Sequence, residues 1–161
     1  MKHPVFIERF VCKAAFLFLL CFAAHAAEEI KPDDRTEPRM SRLFGKSEPY
    51  VEFFYKFKKA IVEDDRTTVA SLIRYPITVT NQNSKIDYVL RTKSEFLDNY
   101  DWIINENVKT TVEKEDFDTL FVNWQGVMFG RGQVWYAGIC LDKACKNVIV
   151  KVITISPGSL R

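Results

Sequence analysis

Histidine is almost missing from this 161-residue chain: His3 and His25 are the only two. From Ala27 onward there is no imidazole at all. That removes Ser-His-Asp and Cys-His catalysis, His-ligated zinc and an imidazole general base from the body of the protein. Net charge is scarce as well. Of 23 basic and 21 acidic residues, three basic (Lys2, Arg9, Lys13) and one acidic (Glu8) fall in the first 26 positions, leaving 20 of each. A neutral body makes no electrostatic case for nucleic acid or an anionic membrane as partner. Long apolar runs are lacking too. The uninterrupted run Ala14–Ala24 has 11 residues, well short of the roughly 20 that span a bilayer. What is present, 47% hydrophobic and 27% charged residues, is the balance of a globular protein, and the length suits one domain plus a tail.

The short apolar run has a different meaning. Three basic side chains precede it, Ala24-His25-Ala26 follows with small residues at the two positions a signal peptidase reads, and Glu28-Glu29 open a polar stretch. Residues 1–26 therefore read as a cleavable secretory signal. Cys21 lies inside the run with Leu20 before it, which does not suit lipoprotein acylation. The expected location is the periplasm or the extracellular space, with no membrane insertion after cleavage.

Cys12 and Cys21 leave with the signal, so Cys140 and Cys145 are the pair that remains. They flank Leu141-Asp142-Lys143-Ala144 between two strand-like runs. An even pair in an oxidising compartment predicts a disulfide across a short hairpin, worth roughly 2 kcal/mol by chain entropy. A CxxxxC metal or redox site would need further Cys or His ligands. No metal or cofactor is expected.

Residues 27–46 mix charge with Pro32 and Pro38 and carry only isolated apolar residues, so they read as a flexible charged arm. From Ser47, a plausible N-cap, Tyr50, Phe53, Phe54, Phe57 and Ile61 recur at helical spacing. Asp64 or Asp65 caps a second short helix that places Val69, Leu72 and Ile73 inward and stops before Pro76. Ile77–Thr80 and Ile86–Leu90 read as strands around an Asn81–Ser84 turn. Thr92-Lys93-Ser94-Glu95 is a capping box for a third helix. Leu120–Phe129, Gln133–Cys140 and Asn147–Ile155 then read as three long antiparallel strands, with Gly126 and Gly138 as bulge or bend positions. The fold class is α+β: a curved antiparallel sheet with three helices on its concave side.

That order resembles the nuclear-transport-factor-2-like cone fold. FKKAIVEDDRTTVASLIRYPITV (Phe57–Val79) and FVNWQGVMFGRGQVWY (Phe121–Tyr136) look like small exported members of that superfamily from Gram-negative bacteria, over residues 47–156. The resemblance implies a single cone domain over 47–161, of a fold that serves enzymes, binding modules and immunity proteins alike. Its isomerases and dehydratases place an Asp or His base and a Tyr or Asp oxyanion partner inside the cone. Here no Asp–Tyr pair matches their motif.

Strand alternation groups Asn123 and Gln125 beside Trp135 and Tyr136 as a candidate polar-aromatic pocket, against solvent-facing amides as the plainer reading. Arg131, at a glycine-flanked hairpin tip, suits a protein contact. Asp101, next to Trp102, is the candidate base if the chain is an enzyme; a surface acid beside a half-buried Trp is the plainer reading. Two function classes follow. One is an exported, non-catalytic binding or inhibitory module, such as an immunity or envelope-associated protein, with a protein or small apolar ligand as partner and a homodimer through the sheet as one arrangement. The other is an isomerase- or lyase-type enzyme using carboxylate and phenol groups on a small apolar substrate. Export is directly testable: the intact mass of secreted material should begin at Ala27 or within one residue of it, and a mass retaining Met1 or an acylated Cys21 overturns the signal reading.

Overall fold

A computed structural model of the chain describes residues 35–81 and 86–158. The expected signal, the first part of the expected arm and the Asn81–Ser84 turn lie outside the described residues, apart from Asn81 itself. Among the described residues six helices precede or interrupt six strands. They are α1 (Thr36–Phe44), α2 (Glu48–Val62), α3 (Arg66–Ser71), β1 (Ile73–Asn81), β2 (Ile86–Leu90), α4 (Lys93–Asp98), α5 (Tyr100–Ile103), α6 (Glu106–Lys114), β3 (Phe121–Asn123), β4 (Gly126–Phe129), β5 (Val134–Cys140) and β6 (Val148–Ile155). A 3-10 turn at Phe117–Thr119 leads into β3.

The aromatic stripe of α2 forms the centre. Tyr50, Phe53, Phe54, Phe57 and Ile61 are all buried, one face of a 3.6-residue repeat. Asp65 caps α3 by accepting the Thr68 N–H at 3.0 Å, and Val69, Leu72 and Ile73 point into the core. Thr92 caps α4, its Oγ1 accepting the Glu95 N–H at 3.2 Å. Glu95 reciprocates one residue early, accepting the Arg91 N–H at 2.6 Å. The expected third helix is broken into α4 and α5, and a further helix, α6, follows, capped by Asn105, whose Oδ1 accepts the Val108 N–H at 3.1 Å.

The sheet runs β2-β1-β6-β5-β4-β3. It is curved and mixed. β1 lies parallel to β6 while every other pair is antiparallel, which corrects the expectation of an antiparallel sheet throughout. β1 is longer than expected and runs through Pro76; its register with β6 shifts between Ile73 and Thr78, the kind of irregularity that accommodates a residue without an N–H.

Two further expectations are corrected. Leu120–Phe129 is not one strand. It folds into the β3–β4 hairpin, Asn123 pairing with Gly126 around Trp124-Gln125. Gly126 has φ 145°, a conformation that excludes a side chain there. Secondly, residues 36–44 of the expected flexible arm are helical. Glu37 in the first turn and Arg42 in the last complement the helix dipole. Met40 and Thr36 are buried, and the helix packs on β3 and the 3-10 turn. Ser47 is the N-cap residue of α2, as expected, but its side chain makes no capping bond; its hydroxyl donates back to Glu37 Oε1 at 3.2 Å, tying α1 to the start of α2. Met40→Ala should accordingly lower unfolding stability by about 2–4 kcal/mol, the cost of emptying a buried methionine site. Urea denaturation checks this, and a shift near zero would restore the flexible-arm reading.

Candidate binding cleft

Two local structures face each other at one end of the molecule. The first is the α1–α2 corner. α1 ends at Gly45, whose N–H donates to the Ser41 carbonyl at 2.9 Å, and Phe44 stacks on Tyr50 with ring centroids 4.3 Å apart. The second is the β5–β6 loop. Cys140 and Cys145 are joined, their Cα atoms 4.8 Å apart. They do not face each other across the ladder as expected, because Cys140 pairs with Val148 and Cys145 sits within a longer loop over residues 141–147. The carboxylate of Asp142 organises that loop. It accepts the N–H groups of Asn147 at 2.7 Å, Ala144 at 2.9 Å and Lys146 at 3.2 Å. A carboxylate collecting several backbone donors is favoured in its charged form. The Asn147 and then the Lys146 amide hold Asp142 below the usual carboxylate range against a smaller opposing effect of burial.

Between corner and loop opens a cleft of about 720 Å³. Phe44, Pro49, Tyr50, Leu141 and Val148 supply its apolar surface, and Lys46 and Lys146 stand at its rim. Its lining residues include no carboxylate. Burial raises the Tyr50 phenol, with an opposing backbone hydrogen bond from Gly138, so Tyr50 is a neutral wall at any ordinary pH. Leu141 is 66% exposed, an apolar group on a pinned loop.

The residues that sequence alternation grouped are not brought together. Asn123 and Gln125 close the β3–β4 hairpin: Asn123 Oδ1 accepts the Gln125 N–H at 2.8 Å. Arg131 is an exposed tip whose N–H donates to Gln133 Oε1 at 2.6 Å. Trp135 and Tyr136 are neighbours on one strand and so face opposite ways. Trp135 meets Phe121 edge-on at 6.1 Å. Tyr136 is fully buried against Phe53 at 4.7 Å and Phe129 at 5.5 Å. Its hydroxyl meets no protein partner among the described residues, and burial above all pushes it well above the ordinary tyrosine value. Asp101 has a side chain 78% exposed, 2.7 Å from an Arg66 guanidinium nitrogen. Trp102 donates to Asn99 Oδ1 at 2.9 Å. The plainer reading of Asp101, a surface acid beside a half-buried Trp, is the one observed.

What sequence reasoning missed is the cleft itself, because Phe44, Gly45 and Lys46 on one of its walls come from the segment read as an arm. Phe44-Gly45 was the available signal, an aromatic followed by a helix-ending glycine. Among the described residues no group of His, Cys, Asp or Glu could hold a metal ion, and no helix is long and apolar enough to cross a membrane. No protein-family model, curated protein or solved structure matches the chain.

The loop carries a pH signature. A carboxylate whose folded pKa is depressed stabilises the folded loop above the unfolded pKa of about 3.9, and that support is lost as pH falls through the folded value. The Asn147 and Lys146 amide resonances should titrate with a midpoint below about 3.9 in an NMR series. Asp142→Asn should remove that titration and speed amide exchange across residues 141–147; unchanged exchange would show that Asp142 does not hold the loop.

Proposed function

We propose that the protein is exported to the periplasm and acts there as a non-catalytic binding or inhibitory module of the nuclear-transport-factor-2-like cone class. The sheet order with helices packed on one face supports the class, and the disulfide suits an oxidising compartment. One observation carries the functional reading. Rings of α2 and the sheet pack against one another in the interior, while the concavity between the α1–α2 corner and the β5–β6 loop offers apolar surface and two ammonium groups without an acid. A concavity that joins apolar side chains to a few charged groups is what a binding surface needs. General acid–base catalysis instead needs a desolvated titratable group beside the substrate, and Asp101 is solvated and paired with Arg66.

The enzymatic alternative retains two buried phenols, Tyr100 and Tyr136, whose hydroxyls meet no protein partner among the described residues. Both readings are separated by one set of variants in the exported protein, scored by capture of a periplasmic partner and by the affinity measured once that partner is purified. Leu141→Asp should weaken the complex by about 2 kcal/mol or more, as expected for an apolar anchor at an interface centre. Asp101→Asn and Tyr136→Phe should leave it unchanged, with Tyr136→Phe neutral or slightly stabilising because it deletes a hydroxyl that meets no protein partner. Loss of biological activity in Tyr136→Phe or Asp101→Asn, with secretion and stability intact, would replace the binding reading with the enzymatic one.

A further inference from the structure

The β5–β6 hairpin extends past the rest of the sheet. β5 pairs with β6 along its whole length, from Val134↔Ile155 to Cys140↔Val148. β1 joins the other side of β6 only from Val152 onward. Residues 148–151 of β6 thus have a strand on one side alone. Alternate residues of a strand direct their N–H and C=O groups to the same side. Val152 donates its N–H to the Leu72 carbonyl at 2.9 Å, so Val150 and Val148 present theirs in that same direction, where no strand among the described residues pairs with them. An unpaired strand edge is a template for a further strand.

The space beside that edge is a groove of about 440 Å³ between β6 and α2, continuous with the cleft through Pro49 and Val148, which line both. Together the two concavities hold four lysines, Lys46, Lys56, Lys146 and Lys151, against the single carboxylate of Glu52. Lys46, Lys56 and Lys146 are exposed and form no ion pair with a described residue. Lys151 donates to the Ser71 carbonyl at 2.5 Å. Burial, and after it the nearby Lys56 charge, pushes Lys151 below the ordinary lysine value. An anion placed between the two ammonium groups would reverse the second effect.

We propose that an acidic segment of a partner protein adds as an extended strand to the open edge of β6 at Val148–Lys151, its carboxylates meeting Lys46, Lys56, Lys146 and Lys151. Strand addition takes affinity from main-chain hydrogen bonds and specificity from the side chains that flank them. Both are offered here, by Val148 and Val150 and by the lysines. A bilayer surface matches the lysines but supplies no ladder of donors and acceptors, and it does not enter a trough. The inference rests on the binding-module reading and adds the chemistry of the partner to it.

The probe is a blocked hexapeptide alternating glutamate and valine, titrated into the full exported protein and followed by amide chemical shifts. The expected result is saturable shifts at residues 148–151. Affinity should fall about tenfold when Lys56→Glu is combined with Lys146→Glu, two exposed positions whose reversal leaves the core untouched. A peptide of the same sequence N-methylated at every residue keeps the charge but offers β6 no N–H from either of its edges, and it should not bind. Equal binding of the N-methylated peptide overturns strand addition in favour of charge alone. Absence of binding at millimolar peptide overturns the proposal outright. So does binding of phosphatidylglycerol vesicles without binding of the peptide, which would assign the lysines to a membrane. Shifts at 148–151 that depend on protein concentration without peptide would assign the edge to a second copy, again overturning it. If the peptide fails while Leu141→Asp still abolishes capture of a partner, this inference falls and the binding-module reading stands. If neither shows an effect, both fall.

Discussion

Ring-on-ring packing between α2 and one face of the sheet is the constraint on which the rest of the molecule depends. Phe53 lies on Tyr136 with centroids 4.7 Å apart, Phe54 on Phe129 at 5.2 Å, and Phe57 against Phe129 at 5.6 Å. Phe117, from the 3-10 turn, closes on the outer edge of Phe54 at 5.3 Å. Each such ring buries a large apolar area, and the pair geometry adds about 0.5–1.5 kcal/mol beyond it. These rings close around Tyr136 between α2 and the sheet. Concave surface is left to the rim, where helix ends and loops meet the sheet.

The rim owes its shape to a close approach. A Cβ at Gly138 would collide with the hydroxyl of Tyr50 and with Val148. Glycine at this one strand position lets the first turns of α2 settle onto the projecting part of the β5–β6 hairpin. Without that contact the hairpin would extend into solvent as an isolated two-stranded ribbon, a marginal structure. Three devices therefore hold the overhang: Tyr50 over Gly138, the disulfide at its end, and the Asp142 carboxylate gathering the loop amides. An edge held this rigidly is already ordered before anything binds to it, which lowers the entropy a partner must overcome.

Much of this fold was legible from local pattern. The α2 stripe, the Asp65 cap and the Thr92 cap follow from periodicity and capping chemistry, and the cysteine pairing from compartment and spacing. What was not legible needed tertiary information. α1 buries one large apolar residue, Met40, in a segment of dense charge, so its helicity depends on docking against β3 rather than on its own pattern. The β3–β4 hairpin was concealed because Leu120–Phe129 alternates without a break in composition. Its signature was subtler: Asn123 and Gly126 bracket two residues, and apolar groups fall on both faces of any single-strand reading. In the hairpin, Val122 and Val127 are simply cross-strand partners on one face. The candidate grouping of Asn123 and Gln125 beside Trp135 and Tyr136 rested on single-strand alternation; the turn places both amides at the β3–β4 hairpin end instead.

Overall neutrality was also a misleading guide to local electrostatics. The body carries equal numbers of acidic and basic residues, yet they are not evenly mixed. Glu113, Glu115, Asp116 and Asp118 cluster at the end of α6 and the following turn, while lysines dominate the groove beside β6. Long-range steering vanishes for a neutral molecule, but a potential confined to one groove survives over about a Debye length, roughly 8–10 Å at physiological ionic strength. The same lysines also bear on self-association. Two copies meeting edge to edge at residues 148–151 would bring like charges together, and charged side chains, lysine above all, are a common guard on open strand edges. The open edge is thus protected against its own kind and left available to a strand that brings carboxylates, which makes charge the gate and the backbone ladder the grip.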